Sequence, residues 1–323
     1  MSGKGRVVIP GGTGYLGGRI AESLAQAGYD VAVGSRAASN WPGPGRNIIV
    51  HTVNWHSPVE LDRMVRGAEA VVMLAAANEI DAASDPVSAA ENTATQCLAW
   101  LQAAARQQVP RFIYFSTIHV YGANDGTLIH EHRELKPQHP YASTHAAAEI
   151  YVQAAHRHGD LDATIFRLSN AFGAPVDPAV NRWTLLLNDL ARQAVTTGRL
   201  QLKTDGLQAR DFVGIGAVCE AVRLCLSRMP GDSGPGVYNL GSGESRTVLE
   251  MAQTLASRAS AILGQELQVE RPAPKDDRSE ELPYLLSVDN LAHAGMLTAT
   301  DRNAEIDQLI AFCRTHSNRL RQQ

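Results

Sequence analysis

A glycine-rich run near the start of the chain has the spacing of a phosphate-binding loop. It reads Gly-Gly-Thr-Gly-Tyr-Leu-Gly from Gly11 to Gly17 and satisfies both the GxxGxxG and the GxGxxG pattern. A strand-like run precedes it and a helical pattern follows, so its backbone N–H groups would approach a pyrophosphate at the positive end of a helix. The alternative is a tight turn without a ligand. The residues predicted to contact a dinucleotide are Gly11, Thr13, Gly14, Tyr15, Leu16 and Gly17.

The end of the second apolar run bears on which dinucleotide would bind. NAD sites of this kind place an Asp or Glu there, which accepts a hydrogen bond from the ribose 2′-hydroxyl. Here the run at 31–33 is followed by Gly34, Ser35 and Arg36. Because a hydroxyl and a guanidinium suit a 2′-phosphate, Ser35 and Arg36 favour NADP over NAD. A solvated surface arginine is the alternative for Arg36.

Composition excludes several classes of function. The chain has 323 residues, of which 44% are hydrophobic and 19% charged, and its net charge is −4. These values argue against a disordered chain and against a broad basic face for nucleic acid. No stretch approaches the roughly 18 uncharged apolar residues of a membrane span, and residues 1–6 lead into the first apolar run without a signal-peptide core. We therefore expect a cytoplasmic protein that binds neither nucleic acid nor a membrane.

Two groups of potential metal ligands are interpreted as structural. The cysteines form no C-x-x-C pair, and small buried side chains in a reducing compartment are favoured over a metal or redox site. The run from His130 to His132 lies in a polar segment without a further ligand nearby, so a solvated loop is favoured over a metal site. The cysteines are Cys97, Cys219, Cys225 and Cys313.

The elements that must position these residues alternate regularly up to about residue 170. Alternation of short apolar runs with helical patterns predicts βαβ units, and hence a parallel sheet with helices on both faces. The predicted strands are 7–9, 31–33, 47–50, 70–74 and 111–115. The predicted helices are 19–27, 61–65, 86–108 and 141 to about 156.

After about residue 170 the regular alternation stops. This change predicts a smaller domain over the carboxyl edge of the sheet, where open α/β sheets bind ligands. We predict a Rossmann-type, doubly wound α/β fold with a dinucleotide-binding domain at 1–170 and a mainly substrate-binding domain at 171–323. Later segments at about 205–240 are expected to interleave with the first domain.

The order of further motifs resembles that of the extended short-chain dehydrogenase/reductases, the nucleotide-sugar epimerase/dehydratase group. The resemblance covers nearly the whole chain and implies NAD(P)-dependent hydride transfer at a carbon of a nucleotide-diphosphate sugar. Besides the glycine loop, the motifs are LAA from Leu74 to Ala76, Asn92 in the long helix, STxxVYG from Ser116, Pro140-Tyr141, RLSNAFG from Arg167, RDFV from Arg210 and YNLGS from Tyr238.

The resemblance also implies the catalytic residues. Tyr141 falls at the family's acid/base tyrosine, and Thr117 at the Ser/Thr that hydrogen-bonds the same substrate oxygen. The family has a lysine four residues after the tyrosine, where this chain has His145. That lysine bonds the nicotinamide ribose and lowers the pKa of the tyrosine. A neutral imidazole can still bond the ribose, but it supplies charge only when protonated.

Three alternatives follow from His145. In the first, the site works with a less acidic Tyr141, which suits reduction. In the second, neighbouring groups protonate His145 and so give it a charge. In the third, the chain is a catalytically weakened nucleotide-binding or regulatory module on the same fold. The family's 4,6-dehydratases place Asp-Glu directly after the catalytic threonine, whereas this chain has Ile118 and His119. We therefore expect a 4-ketoreductase or a C4 epimerase rather than a dehydratase.

The remaining ligand contacts are also implied by the resemblance. Asn54 and Trp55 fall near the cofactor adenine, with a simple loop as the alternative for Asn54. Asn170, Arg210 and Arg271 match positions that contact the diphosphate, which needs cationic and amide donors. Arg271 is the weaker match, because Ala273 to Asp276 replaces the family's Gly-Asp. For Arg210, the alternative is an ion pair with Asp211. Residues 181–185 are expected to border the base. The further cofactor contacts are Leu74, Ala75, Ala76, Asn92, Tyr141 and His145.

The helices at 86–108 and 141–156 correspond to the pair that forms a four-helix dimer interface in this family. We therefore expect a homodimer. Packing of both helices on the sheet alone is the alternative.

Overall fold

The computed structural model describes residues 4–36, 41, 47–229, 236–273, 282–298 and 300–322. The strands are β1 (Arg6–Pro10), β2 (Asp30–Ser35), β3 (Ile48–Thr52), β4 (Ala70–Met73), β5 (Arg111–Thr117), β6 (Asp162–Leu168), β7 (Asn170–Phe172), β8 (Leu200–Gln201), β9 (Ala209–Gly214), β10 (Val237–Leu240), β11 (Ser245–Thr247) and β12 (Val269–Glu270). The helices are α1 (Tyr15–Gln26), α2 (Pro58–Val65), α3 (Glu79–Ser84), α4 (Pro86–Ala90), α5 (Gln96–Arg106), α6 (Pro140–His158), α7 (Leu186–Thr197), α8 (Ile215–Ser227), α9 (Val248–Leu263), α10 (Asp289–His293), α11 (Arg302–Thr315) and α12 (Ser317–Leu320).

Seven parallel strands form the central sheet in the order β10-β6-β5-β4-β1-β2-β3. Side chains alternate between its two faces, as the pleat requires. Val7 and Ile9 join one core with α1 and α8, whereas Val8 joins the other with α2, α5 and α6. Because both faces are covered, the strands read as continuous apolar runs. The predicted Rossmann-type doubly wound sheet is confirmed.

The second half of the chain contributes to two places. Strand β9 pairs with β7 and β11 in a three-stranded sheet, and β8 pairs with β12. Helices α7, α9, α11 and α12 enclose a separate apolar core. Helix α8, in contrast, packs on α1, and β10 pairs with β6 of the central sheet. Through these contacts α8 and β10, from the second half of the chain, pack with elements of the first half. The domain boundary at residue 170 stays a prediction.

The predicted helix at 86–108 consists of α4, a π-helical turn at Glu91–Thr95, and α5. Asp85 caps it by accepting from Ser88 N at 3.0 Å, and Pro86 occupies the first turn. The apolar period of the sequence does not reveal the π turn. Across the described ranges, no helix combines the length and apolarity needed to cross a membrane.

Candidate active site

The glycine loop forms a tight turn between β1 and α1. Gly12 N donates to Ile9 O and Gly14 N to Gly11 O, each at 3.0 Å. Gly11 has φ +81°, and a Cβ there would lie 2.7 Å from the backbone nitrogen of Ala75. A Cβ at Gly17 would collide with the Gly11 carbonyl. The loop therefore needs glycine at Gly11 to pack against the segment after β4, and at Gly17 to let α1 approach the loop.

A cleft of about 890 Å³ opens over the carboxyl ends of the central strands. This volume is in the range of small-molecule and cofactor sites. The cleft brings together most of the residues that the sequence singles out. Those lining it are Gly11, Thr13, Gly14, Tyr15, Leu16, Gly17, Ser35, Arg36, Trp55, Leu74, Ala75, Ala76, Asn92, Thr117, Tyr141, His145, Asn170 and Arg210.

Two predicted contacts are placed outside the residues that line this cleft. Asn54 is exposed, and its Oδ1 accepts from His56 N at 3.1 Å in the turn before α2. Arg271 is also exposed, and its Nη1 donates to the Asp205 carbonyl at 2.9 Å. Asn54 thus stabilises its own turn and Arg271 ties its segment to that of Asp205, and neither side chain is among those that line the cleft.

At the β2 end of the cleft, Arg36 is exposed and faces the π-helical turn. Its Nη1 lies 3.5 Å from Asn92 Oδ1, while Asn92 Nδ2 donates to Ser88 O at 2.8 Å. Asn92 is therefore held by its own helix and also contacts Arg36. The cleft at this end presents the guanidinium of Arg36 and the side chain of Ser35.

At the inner end, Thr117 ends β5 and Tyr141 opens α6. His139 caps α6 by accepting from Tyr141 N at 3.1 Å, and Pro140 occupies the first turn, where its missing N–H costs nothing. Burial raises the pKa of Tyr141, and a side-chain hydrogen bond with Thr117 lowers it in part. The structure thus brings the hydroxyls of Thr117 and Tyr141 together, as the resemblance implies.

His145 lies beneath Tyr141 and is 4% exposed. The two rings meet edge to face, with centroids 4.6 Å apart. Tyr114 Oη lies 2.7 Å from His145 Nδ1. Burial lowers the pKa of His145 to about 3, and the charge of His119 adds to this shift. A hydrogen bond with the Phe115 backbone opposes the shift in part. The imidazole is therefore neutral near pH 7, which disfavours the alternative in which His145 supplies charge.

An ion pair that the sequence analysis missed also borders the inner cleft. Arg182 Nη1 lies 3.0 Å from Glu79 Oε2, and the pair joins α3 to the segment before α7. Arg182 lowers the pKa of Glu79 against the opposing effect of burial. His119 lines the same region, and burial followed by Arg210 lowers its pKa. Asn181, Thr184 and Leu185 also line the cleft, whereas Trp183 is buried in the adjacent core.

On the expected diphosphate side, Arg210 faces the cleft and its pKa is lowered by burial. The neighbouring Asp211 carboxylate is fully buried and accepts instead from Ser242 Oγ at 2.8 Å and Gly243 N at 2.7 Å. It is therefore oriented toward the backbone rather than toward Arg210. Asn170 Nδ2 donates to the Asp211 carbonyl at 2.8 Å, which fixes its amide at the cleft wall.

The solvated loop predicted at 130–132 is wrong for Glu131, whose side chain is buried. Glu131 Oε1 accepts from Asn239 N and Oε2 from Asn290 Nδ2, each at 2.9 Å. Its carboxylate therefore ties two distant segments together. All four cysteines are buried thiols, and burial raises the pKa of Cys219 and Cys313 to about 12.

The residues present fit a nicotinamide dinucleotide. The glycine loop keeps its backbone bare between β1 and α1, because a Cβ at Gly11 or Gly17 would collide with neighbouring backbone atoms. Three buried polar atoms bordering the cleft have no hydrogen-bond partner among the described residues. They are Trp100 Nε1, Ser116 Oγ and His145 Nε2. Unpartnered buried groups are uncommon in folded proteins, and a bound polar ligand is one explanation for them.

Comparison with known proteins agrees with this architecture. The model of the NAD dependent epimerase/dehydratase family matches residues 7–241. A dTDP-6-deoxy-L-talose 4-dehydrogenase (NAD(P)(+)) of Kitasatospora kifunensis is 30% identical over 77% of this chain and 78% of its own. A dTDP-glucose 4,6-dehydratase of Streptomyces griseus is 27% identical over 84% of each chain. The crystal structure of a Thermus thermophilus UDP-glucose 4-epimerase with NAD superposes with a TM-score of 0.78, at 25% identity, over 96% of this chain and 99% of that one.

The chain therefore belongs to the NAD-dependent epimerase/dehydratase family, whose members act with a nicotinamide dinucleotide. The resemblance identified from the motifs is confirmed. Relatives of three reaction types match at similar identity, so membership does not select a reaction. The expectation against dehydration stays a prediction.

Proposed function

We propose that this chain catalyses NAD(P)-dependent hydride transfer at a carbon of a nucleotide-diphosphate sugar, as a 4-ketoreductase or a C4 epimerase. The observation that carries this proposal is the convergence of Thr117 and Tyr141 at the inner end of a cleft that begins at the glycine loop. Paired hydroxyls in that position can hold one substrate oxygen and exchange its proton.

In this mechanism Thr117 and Tyr141 bond the oxygen of the reacting carbon. When bound, the dinucleotide supplies or accepts the hydride. In reduction the Tyr141 hydroxyl donates its proton to the carbonyl oxygen as that carbon gains the hydride; in oxidation both move in reverse. Since burial raises the pKa of Tyr141, the phenol is protonated near pH 7 and suited to donation. This favours the reductive direction.

Dehydration is disfavoured by the residues after Thr117. Elimination of water needs an added acid and base. Ile118 is apolar and buried, and burial lowers the pKa of His119. Neither residue is the carboxylic acid that the family's 4,6-dehydratases have at these two positions. The proposal is therefore restricted to ketoreduction and epimerisation.

We favour NADP over NAD because Ser35 and Arg36 line the cleft where a 2′-phosphate would lie. We further propose a homodimer formed through α4 to α6. Val87 of α4 and Ile150 and Tyr151 of α6 are exposed apolar side chains, as such an interface would need. The cytoplasmic location stays a prediction.

A nucleotide-binding or regulatory module is the second candidate, and His145 is the observation that favours it. Its imidazole is neutral, and its Nε2 is buried beneath Tyr141. A His145→Lys variant separates the candidates. Activity on 4-keto nucleotide sugars that appears only in the variant would show that the natural chain is a binding module. Activity that is present in the natural chain and falls on substitution would show that His145 contributes to catalysis.

The proposal is tested first by denaturing the purified protein and identifying any released nucleotide by mass. Stoichiometric NAD⁺ or NADP⁺ supports an epimerase that retains its cofactor. An empty protein that takes up NADPH in a fluorescence titration supports a reductase that exchanges it. A protein that releases and takes up neither contradicts the enzyme proposal.

A further inference from the structure

Tyr141 must exchange a proton in a place where the neighbouring turns of its own helix carry no cationic side chain. His145, which stands where the family has lysine, is neutral because burial lowers its pKa to about 3. His139 is engaged at the helix start, where its Nδ1 accepts from Tyr141 N. Burial meanwhile disfavours the phenolate that forms when Tyr141 gives up its proton. A cation acting on Tyr141 must therefore come from another element.

The Glu79–Arg182 ion pair lies where such a charge is needed. Glu79 opens α3, which packs against α6, the helix that Tyr141 opens. Arg182 reaches it from the segment before α7, with Nη1 3.0 Å from Oε2. Both side chains line the same cleft as Tyr141 and are only partly exposed. Of the charges acting on Tyr141, Arg182 is the largest that lowers its pKa, and Glu79 raises it.

We infer that Arg182, which lines the same cleft, supplies to Tyr141 the positive charge that a helix lysine supplies in the family pattern. Arg182 is thus a positioning residue for proton transfer, acting through Tyr141. This inference rests on the proposed function, because it concerns the same acid/base group. It also assigns a role to Glu79, whose carboxylate pairs with the guanidinium and offsets part of the charge that Tyr141 experiences.

The other groups that face Tyr141 are polar and come from β5, from the turn after it, and from the start of α6. Thr117 and Tyr114 of β5 contribute hydroxyls. His119, in the turn after β5, has its ring 6.4 Å from that of Tyr141, and its pKa is lowered by burial and by Arg210. His139 caps α6, and His145 lies on it. Among the described residues, the carboxylate and guanidinium that act on Tyr141 are those of Glu79 and Arg182.

The test measures the ionisation of Tyr141 directly and needs no substrate. The protein is labelled at tyrosine Cζ with ¹³C, and its eight tyrosine signals are followed by NMR as the pH is raised. A Tyr141→Phe variant assigns the signal, and circular dichroism marks the pH at which each variant unfolds. We expect Arg182→Gln to move the onset of ionisation to higher pH, Arg182→Lys to restore it, and Glu79→Gln to move it to lower pH.

Opposite shifts from the two members of one ion pair are not expected from a merely structural role. Loss of the contact alone would affect both variants in the same way. Shifts in the same direction, or no shift in either variant, would overturn the inference. A Tyr141 signal that stays un-ionised up to the unfolding pH in both the wild type and Glu79→Gln would overturn it equally.

Two further measurements separate this inference from the proposed function. Nucleotide-sugar binding is measured with UDP and dTDP in the wild type and in Arg182→Gln. Weaker binding with unchanged Tyr141 ionisation would make Arg182 a substrate ligand only and overturn the inference. Hydride transfer is assayed separately, so opposite ionisation shifts in a protein without hydride transfer would uphold the charge relationship and contradict the proposed function instead.

Discussion

His145 Nδ1 lies 2.7 Å from the hydroxyl of Tyr114, and this contact holds the imidazole beside the ring of Tyr141. Burial raises the pKa of Tyr114 well above its usual value, so its phenol stays protonated and can donate to Nδ1. In the tautomer that accepts from Tyr114, the imidazole carries its proton on Nε2. A neutral histidine with one free N–H can bond a ribose hydroxyl, but it cannot replace the charge of a lysine.

The buried neutral state of His145 predicts a pH dependence of stability. Its pKa is about 3 in the folded chain, against an ordinary value of 6.5. The unfolded chain therefore binds the extra proton first, so this stability is present above about pH 6.5 and is lost as the pH falls toward 3. Between pH 7 and pH 4.5 the free energy of unfolding should fall by about 2–3 kcal/mol from this group.

Urea unfolding of the wild type and of His145→Gln at these two pH values checks this prediction. Both proteins share every other titrating group, so the difference between them isolates His145. The variant should lose less stability on acidification. Equal losses would mean that His145 is not neutralised by burial.

Gly11 should be essential to dinucleotide binding for a steric reason. Gly11→Ala places a Cβ 2.7 Å from the Ala75 backbone nitrogen, and its φ is +81°. Gly28→Ala is the matched control, because Gly28 has φ +91° but nothing within 4 Å of the added Cβ. Both variants should lose about 1 kcal/mol of folding free energy through the unfavourable φ, and Gly11→Ala should lose more because its Cβ also meets the backbone. Only Gly11→Ala should also lose NADPH uptake, measured by fluorescence titration, and equal uptake by the two would refute a phosphate-binding role.

Arg36 should set the preference between the two dinucleotides. Its guanidinium can pair with a 2′-phosphate, and such a charge-assisted contact contributes about 1.5–3 kcal/mol. Arg36→Ala should therefore weaken NADPH binding by roughly tenfold or more while leaving NADH binding nearly unchanged. Arg199→Ala removes the same charge from an exposed position outside the residues that line the cleft and serves as the control. Equal weakening of NADPH and NADH would remove the basis for an NADP preference.

The exposed apolar side chains of α6 should hold the proposed dimer together. Ile150 and Tyr151 are 62% and 44% exposed, so charges there have no effect on the core. An Ile150→Glu, Tyr151→Glu double variant should elute as a monomer in size exclusion with light scattering. Val59→Glu on α2, at a residue that is 67% exposed, should leave the oligomeric state unchanged. A wild type that is already monomeric would contradict the dimer.

Local signals in the sequence were sufficient for the sheet and for the cofactor loop. The run at 70–74 is wholly apolar because β4 is buried on both faces, and the glycine spacing reflects contacts within one turn. The Glu79–Arg182 pair could not be read in this way, since 103 residues separate its members. The Tyr114–His145 contact was also hidden, because Tyr114 is one of several aromatic residues in an apolar strand. Arg271 and Asn54 matched family positions, but in this chain their side chains satisfy nearby backbone groups.

The most direct test of the central claim is hydride transfer that depends on Tyr141. The wild type and Tyr141→Phe are each incubated with NADPH deuterated at both positions of nicotinamide C4 and a panel of UDP- and dTDP-4-keto sugars, and the products are analysed by mass. We predict deuterium at one sugar carbon with the wild type and a loss of at least a hundredfold in its rate of incorporation with the variant, as expected for removal of a general acid. A wild type that binds NADPH but transfers deuterium to no sugar, or a variant that transfers it at an undiminished rate, would contradict the account.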